Sequence, residues 1–332
     1  MKALQCVELA GPEKLIFSEI EDPKPGNGEV LIEIKAASVN FPDVLMIQGL
    51  YQNQPPMPFI PGAECSGVII EIGEGVNSCA VGDRVFVMAG TGCFAERLVV
   101  DATRIASIPS TMDFPVAAAL PMTYGTSLYA LKQRANLQPG ETLLVLGAAG
   151  GVGISAVEIG KAMGAKVIAA ASSEEKTKIC LEHGADEVFI YPSGNLDRDQ
   201  QKELSNKIKE LTGGLGANVV YDPVGGSFSE PAIRAMAWEG RFLVIGFAAG
   251  EIPKPPLNLA LLKNCQIVGV FWGAWTLMFP AEYEKNLQEL FKLHADGKIN
   301  PEISDRFSLE ESAAAIAHLM DRKAKGKVII DV

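Results

Sequence analysis

The stretch LLVLGAAGGVGISAVEIGKAMGAKVIAAASSEEK, residues 143–176, decides the fold. An apolar run at 143–147 leads into Gly147, Gly150, Gly151 and Gly153. Val152, Ala156, Ile159 and Met163 then recur at the spacing of one helix face. A second apolar run, KVIAA, occupies 166–170. Strand, glycine turn, helix and strand make a phosphate-binding unit. Glycines permit the tight turn and let the backbone approach a pyrophosphate, and the helix start offers unpaired N–H groups. Gly150, Gly151, Val152 and Gly153 are the predicted contacts.

The same rhythm continues outward. Further apolar runs lie at EVFIY (187–191), NVVYD (218–222), FLVIG (242–246) and QIVGV (266–270), with helix-like stretches between most of them. Buried parallel strands read as continuous apolar runs joined by crossover helices. Six runs predict a doubly wound parallel sheet of the Rossmann type. The N-terminal part reads differently. EVLIEIK (29–35) alternates apolar and polar residues, as a half-buried antiparallel strand does. SGVIIEIG (66–73), DRVFVM (83–88) and FAERLVV (94–100) are further short strands, separated by turns rich in glycine and proline. Ser308 and Glu311 are spaced as a capping box before the helical run SAAAIAHLM, and GKVIIDV closes the chain as a returning strand. A β-rich domain, an inserted nucleotide-type domain and a return predict a two-domain enzyme with a ligand cleft between the domains.

Composition bounds the partners. The 332 residues carry a formal net charge of −11, which argues against nucleic acid and anionic lipid. No apolar run reaches the ~18 residues of a membrane span, and the first residues do not read as a secretory signal, so the cytoplasm is expected. The six cysteines form no CxxC pair and the three histidines are dispersed, so no metal site is expected.

The residues after the second run bear on the cofactor. NAD-selective proteins usually place Asp or Glu there for the ribose 2′-hydroxyl. Here Ala170, Ala171, Ser172 and Ser173 stand at that place, with Glu174 and Glu175 on the next helix and Lys176 beyond them. Hydroxyls and a lysine suit a 2′-phosphate, which points to NADPH. The alternative is a helix capped by Ser173 with a solvated Lys176.

Seven motifs together carry a resemblance over nearly the whole chain: SVNFPDVLMIQGLY (38–51), PGAECSGVI (61–69), VGDRVF (81–86), ALPMTYGTSLYAL (119–131), LGAAGGVG (146–153), YDPVGG (221–226) and GRFLVIGFAAG (240–250). The chain resembles the zinc-free quinone oxidoreductase branch of the medium-chain dehydrogenase/reductase superfamily. The resemblance implies an α/β fold, with a Rossmann domain at 126–266 and a GroES-like β-rich catalytic domain at 1–125 that is completed by 267–332. It implies a soluble homodimer, joined through the sixth run. Zinc-dependent relatives carry Cys near Asn40 and His near Ala63, and often a four-Cys lobe; here Glu64 stands alone and only Cys93 remains in the shortened lobe. By the same resemblance Tyr191 joins Ser172 and Lys176 at the 2′-phosphate, and Arg322 reaches the phosphate end. Asn40 and Thr126 lie near the nicotinamide, and Gly246 and Phe247 offer backbone contacts. Tyr191 also reads as a packing tyrosine, and Arg322 as a solvated charge.

The implied chemistry is hydride transfer from NADPH to an acceptor that is already electrophilic: a quinone, or an activated double bond such as an enone or enoyl thioester. Tyr51, in MIQGLY, is the candidate donor to the developing oxyanion, or else an aromatic wall. Asn40 is the second catalytic candidate, able to donate or accept through its amide. Trp272 and Trp275 read as packing, interface or pocket residues. A protein that binds NADPH with little turnover, as crystallins of this family do, is the non-enzymatic alternative.

Overall fold

The structure is a computed structural model that describes residues 1–332. The chain forms two compact units: Met1–Met122 with Pro301–Val332, and Thr123–Asn300.

In the first unit β1 (Lys2–Gln5) and β2 (Ile16–Glu19) form an antiparallel pair. The main sheet begins with β3 (Glu29–Val39), followed by the short helix α1 (Phe41–Ile47), then β4 (Glu64–Ile72), β5 (Arg84–Met88), β6 (Arg97–Asp101) and β7 (Ile105–Ser107). β3 is the long central strand and pairs with both β4 and β6. Its first half alternates inward and outward side chains as expected, but Ala36 to Val39 are buried on both faces. The reason is α2 (Phe114–Ala119), whose Ala118 and Ala119 pack on Ala36. Small residues on both elements let the helix lie close to the sheet. On the other face Ile32, Ile34, Val39, Ile69, Val87 and Phe94 build the core.

Helix α3 (Pro121–Leu128) carries the chain into the second unit. There β8 (Thr142–Val145), α4 (Gly151–Ala162), β9 (Lys166–Ala171), α5 (Glu174–Glu182), β10 (Glu187–Ile190) and α6 (Arg198–Leu211) alternate. They are followed by β11 (Ala217–Asp222), α7 (Ser229–Arg234), β12 (Met236–Val244), α8 (Asn258–Lys263) and β13 (Gln266–Gly269). Each strand falls on one of the six apolar runs. The sheet order is β10-β9-β8-β11-β12-β13, and every pairing is parallel. This is the doubly wound arrangement, and the first strand lies at its switch point.

The division expected after residue 266 falls elsewhere. β13 is the sixth strand of the parallel sheet, and α9 (Trp272–Met278) and α10 (Pro280–Ala295) stay with that unit as far as Asn300. Side chains explain this. Trp275 stacks on Tyr129 at 4.4 Å, and Gln133 Nε2 donates to Asn286 Oδ1 at 2.8 Å. Trp272, 4% exposed, lies edge-on to Tyr283 and against Gly125, where a Cβ would meet its ring. Both tryptophans are packing residues within this unit.

The inserted unit has its two ends tied at one carboxylate. Glu158, facing inward from α4, accepts from Tyr124 Oη at 2.6 Å and from the backbone N–H of Asn300 at 3.0 Å. His183 Nδ1 lies 2.7 Å from its other oxygen. The chain then returns to the first unit through β14 (Ile303–Ser308), α11 (Ser312–Met320) and β15 (Lys327–Asp331). The expected capping box forms, with Ser308 N donating to Glu311 Oε2 at 3.0 Å. No helix is long and apolar enough to cross a membrane.

Candidate active-site residues in the two units

In the second unit the glycine turn has the shape a phosphate requires. Gly147 is in the left-handed region (φ 59°), which favours glycine. Gly150 is the N-cap of α4 and brings no side chain to it. The first intrahelical bond, Ile154 N to Gly150 O, spans 2.8 Å. The N–H groups of Gly151, Val152 and Gly153 precede it, so they lack an acceptor within the helix. A Cβ on Gly153 would lie 2.7 Å from Ala148 Cα and closer still to the Gly147 carbonyl oxygen. A Cβ on Gly150 would meet only Gly147 O, at 3.5 Å. Gly153 therefore serves close packing, while Gly150 leaves the helix start clear for an anion. Beneath it a hydroxyl cluster fixes the helix. Ser127 Oγ lies 2.8 Å from both Ser155 Oγ and Tyr221 Oη, and Ser155 Oγ also donates to Thr123 O at 3.0 Å. This anchors α3, and with it the partly exposed Thr126, against the turn.

The strand ends beside the turn gather the other expected residues. Tyr191 N donates to Ala171 O at 3.0 Å, so the ends of β9 and β10 are adjacent. No acid stands at the end of β9. Ser173 is the N-cap of α5, accepting from Lys176 N at 3.3 Å, and Glu174 and Glu175 form the first turn. The capping alternative thus holds for Ser173 and leaves Ser172 and Lys176, both half-buried, beside Tyr191. The Tyr191 ring is buried against Phe228 at 4.8 Å. Asp222 shapes the next edge: its carboxylate accepts from the N–H of Val224 and Gly225 and from Ser229 Oγ, at 2.8, 2.9 and 2.6 Å. Burial pushes its pKa up. The loop so held, with Gly246 and Phe247 after β12, completes the carboxyl edge of the sheet, where such folds bind ligands.

The first unit holds a separate buried cluster. Three neighbouring strands meet at one level: Val328 of β15 pairs with Val39 of β3, and Ser38 of β3 pairs with Glu64 of β4. Lys327, Asn40 and Glu64 are thereby brought together. Lys327 Nζ donates to Asn40 Oδ1 at 2.6 Å and to Glu64 Oε1 at 3.1 Å. Asn40 Nδ2 donates to Glu64 Oε1 at 2.8 Å and to Ser38 O at 3.2 Å. Glu64 Oε2 accepts from Met122 N at 2.9 Å. Both amide hydrogens of Asn40 are spent, so the expected choice between donating and accepting closes: only Oδ1 is left to a ligand. Asp43 accepts from Asn40 N at 2.8 Å and caps α1. Burial, together with the charge of Glu64, pushes its pKa to about 7.

Tyr51 is half-buried on the same core. Burial and the neighbouring Asp43 push its phenol up, so it keeps its proton at neutral pH. Arg322 is exposed in the turn after α11, with left-handed backbone (φ 59°), in the first unit and not the glycine-turn unit. No three His, Cys, Asp or Glu side chains converge as metal ligands do, and an ammonium group sits between Asn40 and Glu64. Sequence reading missed Lys327 and Asp43. The available signal was a lysine heading the otherwise apolar strand KVIID, but its partners lie 287 and 263 residues away.

Comparison with known proteins agrees with this geometry. Residues 151–292 match the family model for zinc-binding dehydrogenases, and residues 26–110 match the GroES-like domain of alcohol dehydrogenases. The chain is 38% identical to a quinone oxidoreductase-like protein 2 homolog of Nematostella vectensis, covering 99% of this chain and 88% of that protein. It is also similar to the crystal structure of a probable oxidoreductase from Mycobacterium abscessus, with 36% identity, a TM-score of 0.87, and 100% and 99% of the two chains covered. Escherichia coli quinone oxidoreductase, solved in complex with NADPH, shares 27% identity over the full length of both chains, with a TM-score of 0.90. With both halves matched, and relatives aligned over nearly their whole lengths, the chain belongs to the medium-chain dehydrogenase/reductase superfamily, in its quinone oxidoreductase branch.

Proposed function

We propose that this oxidoreductase reduces quinones or related electrophilic acceptors with NADPH, by hydride transfer that needs no zinc. The observation that carries the reading is the glycine turn: its helix start is free of any side-chain cap, and the strand beside it ends without an acid. Bound NADPH supplies the hydride and its electron pair; the acceptor takes both, together with one proton, and NADP⁺ leaves.

The chain's own residues then have distinct tasks. The N–H groups of Gly151, Val152 and Gly153, with Gly150 leaving them room, hold the pyrophosphate. Ser172, Lys176 and Tyr191 take the 2′-phosphate, where a charged donor is worth most. Gly246 and Phe247 offer backbone contacts, Thr126 and Asn40 orient the nicotinamide half, and Arg322 closes on the phosphate end. Tyr51, held protonated, donates to the oxygen on which charge develops. Water serves quinone reduction equally well, so a half-buried phenol favours enones and enoyl thioesters as a second acceptor class. A donor set with an ammonium at its centre suits metal-free chemistry.

The second unit also offers a surface for a second copy of the chain. β13 is an edge strand, and beyond it Leu277 and Met278 are 71% and 70% exposed. Edges of this kind tend to be paired. A two-fold homodimer is the proposal, and light scattering should give twice the chain mass; a monomer mass that does not change with concentration would refute it.

Calorimetry tests the cofactor. NADPH should bind more tightly than NADH, and Lys176→Ala should weaken NADPH by about 1.5–3 kcal/mol while leaving NADH nearly unchanged. Equal affinities of the wild type for the two cofactors would sink the assignment. Turnover tests Tyr51. With an enone or enoyl thioester as acceptor, Tyr51→Phe should lose roughly 10²–10³ in kcat with little change in NADPH affinity. Near-normal turnover, with a deuteride isotope effect showing that chemistry limits the rate, would reduce Tyr51 to a wall of the pocket. No steady NADPH oxidation with any acceptor would favour a binding protein instead.

A further inference from the structure

Of the 29 lysines and arginines, Lys327 alone is buried, at 3% exposure. An ammonium withdrawn from water is retained only where paired and hydrogen-bonded, and its removal leaves its partners unsatisfied. Here the partners are Glu64, fully buried, and Asn40, 5% exposed.

We infer that Lys327 is a positioning residue that fixes the amide of Asn40 in one orientation and so makes it an acceptor toward the cofactor. The argument is one of donors and acceptors. With Oδ1 toward the ammonium, Asn40 receives a charge-assisted bond of 2.6 Å and its Nδ2 finds Glu64 Oε1 and Ser38 O. Rotated by half a turn, the amide would set Nδ2 against the ammonium and Oδ1 against a carboxylate and a carbonyl. Both contacts would then be repulsive. Glu64 is held in turn by Met122 N, so the group to which Nδ2 donates is itself fixed. One lone pair on Oδ1 remains. It suits a hydrogen-bond donor on the nicotinamide half of the cofactor, a ribose hydroxyl or a carboxamide N–H. It does not suit the oxygen of the acceptor. This inference rests on the proposed function, since it takes Asn40 to face that half. Lys327 acts through Asn40 and need touch neither cofactor nor acceptor.

The test separates positioning from simple charge balance. Lys327→Met removes the ammonium and leaves Glu64 unpaired, so both the melting temperature and kcat should fall. Adding Glu64→Gln removes the orphaned charge. In that double variant the melting temperature should return close to the wild-type value. kcat should stay lower by roughly 10²-fold, the loss a misplaced reacting group typically causes. NADPH affinity, read by calorimetry, should stay weakened, and KM for the acceptor should barely move. Recovery of kcat and NADPH affinity along with the melting temperature would overturn the inference and leave Lys327 as a counter-charge to Glu64. Should the double variant fail to fold, the wild type decides by NMR. Both side-chain amide protons of Asn40 should be protected from solvent exchange, and rapid exchange of either would overturn the inference. The wild type is assayed beside the variants. If it does not oxidise NADPH at all, the functional reading fails and takes this inference with it. If it does, and the double variant matches it, the inference alone fails.

Discussion

The pairing of the last strand with the third is the constraint on which the rest of the first unit depends. β15 lies antiparallel to β3 with Val328 opposite Val39, so the two ends of the chain build one sheet. That sheet can form only if everything between them returns to its starting point. The inserted unit meets this demand at Glu158, which accepts from Tyr124 near its beginning and from Asn300 at its end. A buried carboxylate is costly unless its oxygens are satisfied, and here both are. The same register sets Lys327 beside Asn40 and Glu64. Topology, and not local sequence, thus creates the buried charge cluster.

The parallel sheet was the most legible part of the sequence. Its six runs are apolar throughout because helices cover both faces, and β8 to β13 fall on them. β3 was legible only in its first half. Its second half is buried on both faces by the alanines of α2, a tertiary effect that periodicity does not reveal. The domain boundary was placed at 266 because QIVGV looked like the last strand before a return. The helices that follow stay with the same sheet because Trp275 finds Tyr129 and Gln133 finds Asn286, and neither contact leaves a local pattern.

The candidate site divides in the same way. The glycine turn was readable because its residues adjoin in sequence and each glycine has a steric reason, as at Gly147 and Gly153. Ser172 and Ser173 looked alike in sequence; the structure spends Ser173 on a helix cap and leaves Ser172 beside the end of β10. Glu64 seemed to stand alone only because its partner Lys327 comes 263 residues later. Asn40 could be named as important, but its role as an acceptor depends on that distant ammonium.

In the account that emerges, a fixed lysine, an oriented amide and a protonated phenol do the work that a metal performs in the zinc-dependent dehydrogenases. Hydride comes from the cofactor, and the acceptor must bring its own electrophilicity. Metal analysis of purified, catalytically active protein tests this most directly. The account predicts far less than one zinc per chain, and full NADPH-dependent quinone or enone reduction after treatment with a strong chelator. One zinc per chain, with activity lost on chelation and restored by added zinc, would contradict it.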